Sequence, residues 1–317
     1  MVQVESRKLS SEECKVLANI TKSARKGTPL ESERSVDDIA RGIERITSND
    51  EFQLLIASDE NENIVGWTYY YVAFRLMDFI SGFFPLVSEH KDTEEIALSL
   101  IEASKRDTVE RGQSRLEIEL VFPSDEHRAH SEKYVELYRK CGFQFAAEEV
   151  HMKSDLNIID LPELHLPEGY KLRKFSEITY ESLEGPGFQT LEDSMEGLFL
   201  SMSHAERKVT VEYFFDKSKS HIEDASLILE KDSEIVGFII TRLKDDEPEI
   251  GPVGLVPEVR GQGLASYLLV SVLGSLKDNG STCAYLDTTI TNLPAQKLYR
   301  KYGFEDVYYK QFYYWSP

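Results

Sequence analysis

A short glycine-rich segment carries the clearest chemical signal in the sequence. Arg260, Gly261 and Gly263 lie between a predicted strand and a predicted helix. Glycines have no side chain, so the backbone at these two positions can approach a ligand closely. Free amides at a helix start and the helix dipole attract anions, and Arg260 adds a positive charge. The segment predicts a pyrophosphate site, although a tight turn into a helix would explain the same residues.

Other residue types that often do chemistry lack a recognisable pattern. The cysteines, Cys14, Cys141 and Cys283, are far apart and form no C-x-x-C pair. The seven histidines show no spacing typical of a zinc site. We therefore expect no metal and no cysteine nucleophile.

The elements that must position the glycine-rich segment can be predicted around it. A hairpin is expected at 225–243, with its turn at 231–234, and a further strand at 250–256. A helix follows, because apolar residues recur every four positions from Leu264. A strand at 283–288 and a helix at 293–302 complete the pattern, which indicates an α/β (α+β) fold with a mixed sheet.

Three short strings occur twice in the same order, so the chain contains an internal repeat. The clearest pair is 137–143, Leu-Tyr-Arg-Lys-Cys-Gly-Phe, and 298–304, Leu-Tyr-Arg-Lys-Tyr-Gly-Phe. The offset is nearly constant over the whole length, which indicates a duplicated domain rather than a solenoid. We predict a first domain at 1–155, a proline-containing linker at 156–168 and a second domain at 169–317.

Composition limits the classes of function. The formal net charge is −20 and no basic patch stands out, so binding to a nucleic-acid backbone is disfavoured. An acidic surface suits a cationic substrate such as an amine, but it also simply keeps a protein soluble. No apolar run is long enough to cross a membrane and no signal pattern is present, so we expect a cytoplasmic protein.

The glycine-rich segment and the end of the chain together resemble the GNAT superfamily of N-acetyltransferases. Residues 256–265, Val-Pro-Glu-Val-Arg-Gly-Gln-Gly-Leu-Ala, match the R-x-x-G-x-A motif for acetyl-CoA. Asn292, Ala295 and the Leu-Tyr…Gly-Phe block ending at Phe304 match its usual final helix and strand. The resemblance is good over 170–317 and weaker over 1–155. It implies two tandem GNAT-like domains, each a mixed, mostly antiparallel sheet flanked by helices, as in mycothiol synthase.

The resemblance also implies a cofactor and the residues that hold it. Acetyl-CoA would be the cosubstrate, with its pyrophosphate on the loop amides and its pantetheine along a strand edge. A backbone amide of that edge would polarise the thioester carbonyl. The implied cofactor-binding residues are Leu255, Val256, Arg260, Gly261, Gln262, Gly263, Leu264, Ala265 and Asn292. Asn292 before Leu293-Pro294 would serve equally well as a helix N-cap.

Two residues are candidates for acid–base catalysis, again by resemblance. Glu249 falls where histone acetyltransferases of the superfamily carry their glutamate base, but it also ends an acidic turn. Tyr299 falls where many relatives place the acid that meets the sulfur, but Tyr138 occupies the matching position of the first copy. Asp287, at a strand end, faces either substrate or solvent. Glu192, Asp193 and Glu196 could attract a cationic amine or form an ordinary solvated face.

The first copy is expected to have lost the cofactor. Aligning 86–89 with 255–258 places Lys91, Asp92 and Glu94 where the second copy has Arg260, Gly261 and Gly263. Carboxylates would repel a pyrophosphate, and side chains would block its close approach. The counterpart of Glu249 is the apolar Ile80. We expect this copy to keep the fold, to pack against the second copy and to shape the substrate cleft.

The sequence therefore predicts an acyltransferase. The expected reaction is acetyl transfer from acetyl-CoA to an amine of a small molecule or a protein N-terminus, by direct attack in the second domain. Two alternatives remain open. One is another acyl-CoA or aminoacyl transfer on the same scaffold, of which the tRNA version is disfavoured by the acidic charge. The other is a CoA-binding or partner-binding module without catalysis. The identity of the acceptor and the oligomeric state are not indicated.

Overall fold

The computed structural model describes residues 2–82, 84–89 and 92–317. These form two compact units, Met1–Ala146 with Lys310–Pro317, and Ala147–Tyr309. This division follows the spatial contacts between residues. The boundaries at 155 and 169, which come from the repeat in the sequence, stay a prediction about the duplication. No helix among the described residues is long and apolar enough to cross a membrane.

The first unit has four helices in its described part and a mixed sheet. The helices are α1 (Ser11–Arg25), α2 (Val36–Thr47), α3 (Thr93–Glu110) and α4 (Asp125–Lys140). The strands are β1 (Gln3–Glu5), β2 (Phe52–Ser58), β3 (Ile64–Phe74), β4 (Met77–Ser81), β5 (Leu86–Val87) and β6 (Arg115–Phe122). The sheet order is β1-β2-β3-β4-β6, with β5 beside β3, and only the β4–β6 neighbours among these run parallel.

Helices α1 and α2 begin at matched capping boxes, which fixes where each starts. Ser10 accepts from the amide of Glu13, and the Glu13 carboxylate accepts from the amide of Ser10. Ser35 and Asp38 form the same reciprocal pair at the start of α2. These caps satisfy amides that the first helical turn leaves without partners.

The second unit contains the strands and helices that surround the glycine-rich segment. Its strands are β7 (Gln144–Asp155, from Ala147 onward), β8 (Tyr170–Lys174), β9 (Leu227–Lys231), β10 (Glu234–Lys244), β11 (Glu247–Leu255) and β12 (Cys283–Thr289), followed by β13 (Phe304–Trp315), which leaves this unit after Tyr309. Its helices are α5 (Tyr180–Glu192), α6 (Gly197–Leu200), α7 (His204–Phe214), α8 (Leu264–Asp278) and α9 (Leu293–Lys301).

The sheet of the second unit runs in the order β7-β12-β11-β10-β9-β8. Strands β11 and β12 are parallel, and the other four neighbouring pairs in this order are antiparallel. The predicted hairpin, strands and helices around the glycine-rich segment are therefore confirmed, with boundaries that move by a few residues. The prediction of a mixed, mostly antiparallel α/β sheet is also confirmed.

Two hydrophobic clusters hold the second unit together. One joins α8 to the sheet through residues such as Leu268, Val272 and Leu286. The other joins α5, α6 and α7 to the sheet through Phe215 and Phe238, among others. The periodic leucines and valines of α8 are fully buried, as the fourfold spacing predicts. Burial of this face fixes the start of α8, and with it the position of the glycine-rich loop.

Candidate active site

Strands β11 and β12 separate in the middle of the second sheet. Both are fully described, and the one register pair recorded between them joins Glu249 to Tyr285. Beyond it β11 continues along β10 alone, to the pair of Leu255 with Gly237. The register of β11 against β10 shifts at Gly251 and Pro252, where proline has no amide to donate. The edge of β11 that faces β12 is thus left open beside the glycine-rich loop.

The glycine-rich loop leaves open space beside both of its glycines. Gly261 and Gly263 have φ angles of +76° and +82°, a conformation that favours glycine. A methyl group added at either position would meet no atom within 4 Å. The amides of Gly261, Gln262 and Gly263 donate to no backbone carbonyl in the described chain. The first-turn amides of α8 also lack acceptors within the helix, so this end of α8 can hold an anion.

Arg260 is held beside this loop by main-chain carbonyls and one carboxylate. Its Nε donates to the carbonyl of Leu255 at 2.9 Å. Its Nη1 lies 2.6 Å from Oδ2 of Asp193, in an ion pair between two exposed side chains. The guanidinium is therefore already oriented at the loop, but it is shared with an acidic residue that an anionic ligand would have to displace.

The two backbone positions predicted to contact the pantetheine differ in their availability. The amide of Val256 donates to the carbonyl of Val236 on β10, at 2.9 Å. Successive amides of a strand point to opposite edges, so that of Leu255 points toward the open side. Of the two amides, only that of Leu255 is therefore directed at the gap between β11 and β12.

The remaining loop residues shape the loop. The Gln262 side chain accepts from the hydroxyl of Tyr170 at 3.0 Å, which fixes the tip of the loop. Leu264 is buried, and Ala265 packs against the same hydrophobic cluster. Their side chains anchor α8, and only their amides could serve a ligand.

Asn292 caps helix α9 and also contacts a partly buried carboxylate. Its Oδ1 accepts from the amide of Ala295 at 3.3 Å, which is the N-cap contact. Its Nδ2 donates to Oε1 of Glu196 at 3.0 Å. Burial raises the pKa of Glu196, while the hydrogen bond from Asn292 opposes that shift. The sequence alone left open whether Glu196 belongs to the site or to a solvated face. Its partial burial beside Asn292 favours the site.

Tyr299 lies in the buried part of α9, 7% exposed. Burial, followed by the nearby charge of Glu196, raises the pKa of its hydroxyl, so this group keeps its proton at neutral pH. The ring also packs on Phe304, with 5.9 Å between centroids. Both interpretations of this tyrosine, a proton donor and a packing residue, are compatible with this position.

Glu249 stands at the point where the strands separate, opposite Arg242 on β10 and Tyr285 on β12. Its carboxylate is 3.0 Å from the ammonium of Lys244. Glu249 thus has the right place for a catalytic base, but its lone pairs are shared with a lysine.

A histidine–aspartate pair lies two residues further along β12. Nδ1 of His151 is 2.8 Å from Oδ1 of Asp287. The imidazole, which is 7% exposed, stacks between Tyr285 and Tyr308, with centroid distances of 5.4 Å and 4.4 Å. Asp287, for which the sequence left both a substrate-facing and a solvent-facing role open, orients this histidine. Such a contact selects the tautomer with Nδ1 protonated, which places the lone pair on Nε2.

The corresponding strands of the first unit stay paired up to Ser81, after which β5, aligned with the end of β11, pairs with β3. Strands β4 and β6 keep five consecutive register pairs, from Met77 with Arg115 to Ser81 with Glu119. The hydroxyl of Tyr138, the counterpart of Tyr299, donates to the carbonyl of Phe84.

The carboxylates expected to repel a cofactor lie at the start of α3. Asp92 stands at its N-cap, and Glu94 forms an ion pair with Lys140. Ile80, aligned with Glu249, is buried. Lys91, aligned with Arg260, lies outside the described residues. An anion at this helix start would meet acidic side chains in place of glycines.

Comparison with protein families decides which fold family this site belongs to. Residues 191–304 match the family model described as "Acetyltransferase (GNAT) family". That segment contains β11, β12 and the glycine-rich loop between β11 and α8. The second unit carries a GNAT acetyltransferase domain. The resemblance inferred from the loop and the final helix is thereby confirmed for this part of the chain.

Two curated relatives are similar to the GNAT domain. A Bacillus subtilis protein described as a ribosomal protein bS18-alanine N-acetyltransferase is 32% identical over 79 residues, which cover 25% of this chain and 52% of that protein. A mycothiol acetyltransferase of Pseudarthrobacter chlorophenolicus is 28% identical over 185 residues, covering 55% of this chain and 54% of that protein. The chain thus spans about half the length of these relatives.

Two solved structures share the fold over nearly the whole chain. A GCN5-related N-acetyltransferase from Sphaerobacter thermophilus has a TM-score of 0.60 at 16% identity, covering 99% of this chain and 95% of that chain. A tandem GNAT protein from the clavulanic acid biosynthesis pathway has a TM-score of 0.53 at 13% identity, covering 100% and 98%. These similarities show a tandem GNAT-like fold.

His151 is the site residue that the sequence does not reveal. It belongs to the first sequence repeat, yet β7 pairs with β12 from Asp155 opposite Cys283 to Glu149 opposite Thr289. No motif surrounds it, so only the strand register brings it to Asp287. Within the described residues, no cluster of three or more histidine, cysteine or acidic side chains could hold a metal ion.

Proposed function

We propose that the GNAT domain of the second unit transfers an acetyl group from acetyl-CoA to an amine. The observation that carries this proposal is the separation of β11 from β12 after Glu249, directly before the loop with unpaired amides. An extended, anionic cosubstrate needs both features, a strand edge to pair with and an anion site at the end of that edge. The alternative of a binding module without turnover lacks a role for the acid–base groups beside the gap.

The chain's residues fit acetyl-CoA as a ligand. The amides of residues 261–265, the N-terminus of α8 and the side chain of Arg260 would hold the pyrophosphate. The amide of Leu255 would pair with the pantetheine or polarise the thioester carbonyl. The absence of side chains at Gly261 and Gly263 leaves the space that such an approach requires. Acetyl-CoA itself supplies the activated acetyl group as a thioester.

The acceptor amine must lose a proton before it can attack, and we assign this step to His151. Asp287 holds the imidazole so that Nε2 presents the lone pair that accepts the proton. Asp287 acts as a positioning residue. Glu249 is the second candidate for the base, but its carboxylate forms an ion pair with Lys244. It is better suited to attract the ammonium form of the acceptor.

Tyr299 is the candidate acid for the departing thiolate. Its hydroxyl keeps its proton at neutral pH because burial raises its pKa. A hydroxyl that stays protonated in a buried site can donate a hydrogen bond to the departing thiolate and stabilise its negative charge. Glu196 and Asn292 flank this position and would help to orient polar groups of the substrate.

The acceptor belongs to the class of amines that carry a positive charge in solution. Glu249, Asp287 and Glu196 are acidic groups within the proposed site, and the net charge of the chain is −20. The names of the relatives include both a small-molecule acetyltransferase and one that acts on the alanine of a ribosomal protein. We therefore propose a small-molecule amine or a protein N-terminus as acceptor, without choosing between them.

We further propose that the first unit does not bind acetyl-CoA. The start of α3 carries Asp92 and Glu94 where the second copy has Gly261 and Gly263, so a pyrophosphate there would meet carboxylates. Tyr138 donates to a backbone carbonyl at the equivalent position. Catalysis is thus proposed for the second unit alone.

The proposal is tested with the full chain, acetyl-CoA and a panel of primary amines and short peptides with free N-termini. Release of the CoA thiol and the mass of the acetylated product are measured together. We expect amine-dependent thiol release and a product heavier by one acetyl group. The loss of this activity in a Gly263→Asp variant, with Gly274→Ala as a control at an open helix position, would support the site. Absence of transfer to every amine, despite cofactor binding, would contradict the proposal.

A further inference from the structure

The first unit contains a cavity of about 410 Å³. It lies between α1, α2, the strand β3 and the segment around Phe84. One side is aromatic and apolar, with Trp67, Tyr69 and Ile43. The other side carries the charged residues of α1 and of the α1–α2 connection. Cavities of this volume hold small organic ligands, and a mixed wall of this kind suits an amphipathic one.

Two hydrogen-bond donors in the cavity wall have no acceptor. Nε of Arg25 and the indole Nε1 of Trp67 are buried and unpartnered in the part of the chain that the structure describes. Trp67 is only 3% exposed, so water does not readily satisfy its N–H. A buried donor left unpaired is energetically unfavourable. Arg25 and Trp67 both line the same cavity.

The charge of the wall favours an anion. Its cations are Lys22, Arg25 and Arg34, and its acids are Glu31 and Asp38. Both acids have other roles, because Glu31 accepts from the amide of Gly27 and Asp38 completes the cap of α2.

Arg25 is the cation that most needs a partner. Burial lowers the pKa of its guanidinium, and the groups that oppose this shift are the hydroxyls of Tyr69 and Tyr134 rather than a carboxylate. Its charge also lies 5.8 Å from the centroid of the Phe84 ring. Three cations against two acids leave one positive charge, which matches a monoanion better than a phosphate dianion.

We propose that this cavity binds a small organic monocarboxylate. Its two oxygens would accept from Arg25 and Trp67, and its apolar body would pack on the aromatic and isoleucine wall. The aromatic wall is preorganised, since Tyr69 and Phe84 meet edge to face with 4.6 Å between centroids. This site is independent of acetyl transfer, and it gives the first unit a ligand of its own.

Tryptophan fluorescence gives a direct test, because the chain has two tryptophans, Trp67 and Trp315. In a full-length Trp315→Phe variant, Trp67 is the single remaining tryptophan, so its fluorescence reports on the cavity. Phenylacetate and hexanoate are titrated beside the neutral phenylacetamide and hexanamide, and beside inorganic phosphate. We expect at least one carboxylate to produce a saturable change with a Kd below about 1 mM. Its amide should bind at least about 10-fold more weakly.

The role of Arg25 is tested by an Arg25→Gln substitution, with Arg45→Gln on the exposed part of α2 as the charge-matched control. Arg25→Gln should weaken carboxylate binding by at least about 10-fold, and Arg45→Gln should leave it unchanged. If Arg25→Gln does not fold, calorimetry with a Trp67→Phe variant, which loses one donor and keeps an aromatic ring, should show several-fold weaker binding. No saturable carboxylate binding, equal binding of the amides, or binding of phosphate alone would overturn the proposal.

Discussion

Nδ1 of His151 and Oδ1 of Asp287 lie 2.8 Å apart, on two neighbouring antiparallel strands of the second unit. The histidine comes from the first sequence repeat and the aspartate from the second. The imidazole is buried between two tyrosine rings, so its orientation is fixed by both stacking and hydrogen bonding. This arrangement is what a general base needs, because only one tautomer satisfies the aspartate.

Replacing His151 by glutamine should reduce kcat for acetyl transfer by about 100-fold or more, the usual contribution of a positioned base. Asp287→Asn should lower kcat by a smaller factor and keep the cofactor affinity, since it favours the wrong tautomer. The measurements are pH–rate profiles of purified variants. Glu249→Gln is the matched comparison, and a larger loss in that variant than in His151→Gln would transfer the role of base to Glu249.

Asp193 competes with the cofactor for Arg260. The two side chains are 2.6 Å apart, and both are exposed, so their ion pair is weak and sensitive to salt. Asp193→Asn should therefore tighten acetyl-CoA binding by about 2–5-fold at low ionic strength, with a smaller difference at high salt. Calorimetric titration measures the acetyl-CoA affinity of the variant and of the wild type at each salt concentration. The control is Glu192→Gln, whose carboxylate pairs with Arg207 at 3.5 Å. Weaker binding in Asp193→Asn would show that the aspartate supports the site instead.

Glu196 should make the second unit less stable as the pH rises. Burial raises the pKa of this carboxyl in the folded protein, so the folded state binds its proton more tightly than the unfolded chain does. The free energy of unfolding therefore falls as pH rises from the normal carboxyl range through the raised value. Glu196→Gln keeps an acceptor for Asn292 and removes this charge. Its melting temperature should exceed that of the wild type by about 2–4 °C near pH 7. The melting temperatures of the variant and the wild type should converge near pH 4. A lower melting temperature of the variant at neutral pH would refute this account.

Gly254, on the open strand β11, is predicted to tolerate no side chain. A Cβ there would lie 2.1 Å from Cγ2 of Thr190 and 2.9 Å from the ring of Phe238. Gly254→Ala should destabilise the protein by about 1–3 kcal/mol through overpacking. Gly274→Ala, in the interior of α8 where nothing lies within 4 Å, should instead stabilise it by about 0.5–1 kcal/mol. Chemical denaturation of both variants measures the difference, and equal effects would show that α5 yields to accommodate the new methyl group.

Much of the GNAT domain can be predicted from local sequence. Glycines at 261 and 263 and the buried face of α8 give the loop and its helix, because turn conformation and helical periodicity are local properties. The parting of the strands at Pro252 is also indicated, since proline cannot donate to a ladder. Asn292 as an N-cap follows from the Leu-Pro that comes after it.

The rest of the site depends on contacts between distant parts of the chain. Nothing local shows that β7 pairs with β12, so neither the position of His151 nor its contact with Asp287 can be predicted. Glu196 and Asp193 resemble an ordinary acidic face, and only the packing of the α5–α6 segment brings them to Asn292 and Arg260. The cavity around Arg25 likewise depends on the packing of α1 and α2 against β3 and the segment around Phe84.

The most direct test of the central claim is a calorimetric titration of the full chain with acetyl-CoA. The account predicts one site per chain. Binding should be lost in an Arg260→Glu/Gly263→Asp variant, and it should be unchanged in Glu94→Gln, which alters the corresponding helix start of the first unit. Two sites per chain would show that the acidic helix start of the first unit still admits the cofactor. No binding at millimolar acetyl-CoA, or binding that survives in the double variant, would contradict the assignment of the loop after β11 as the cofactor site.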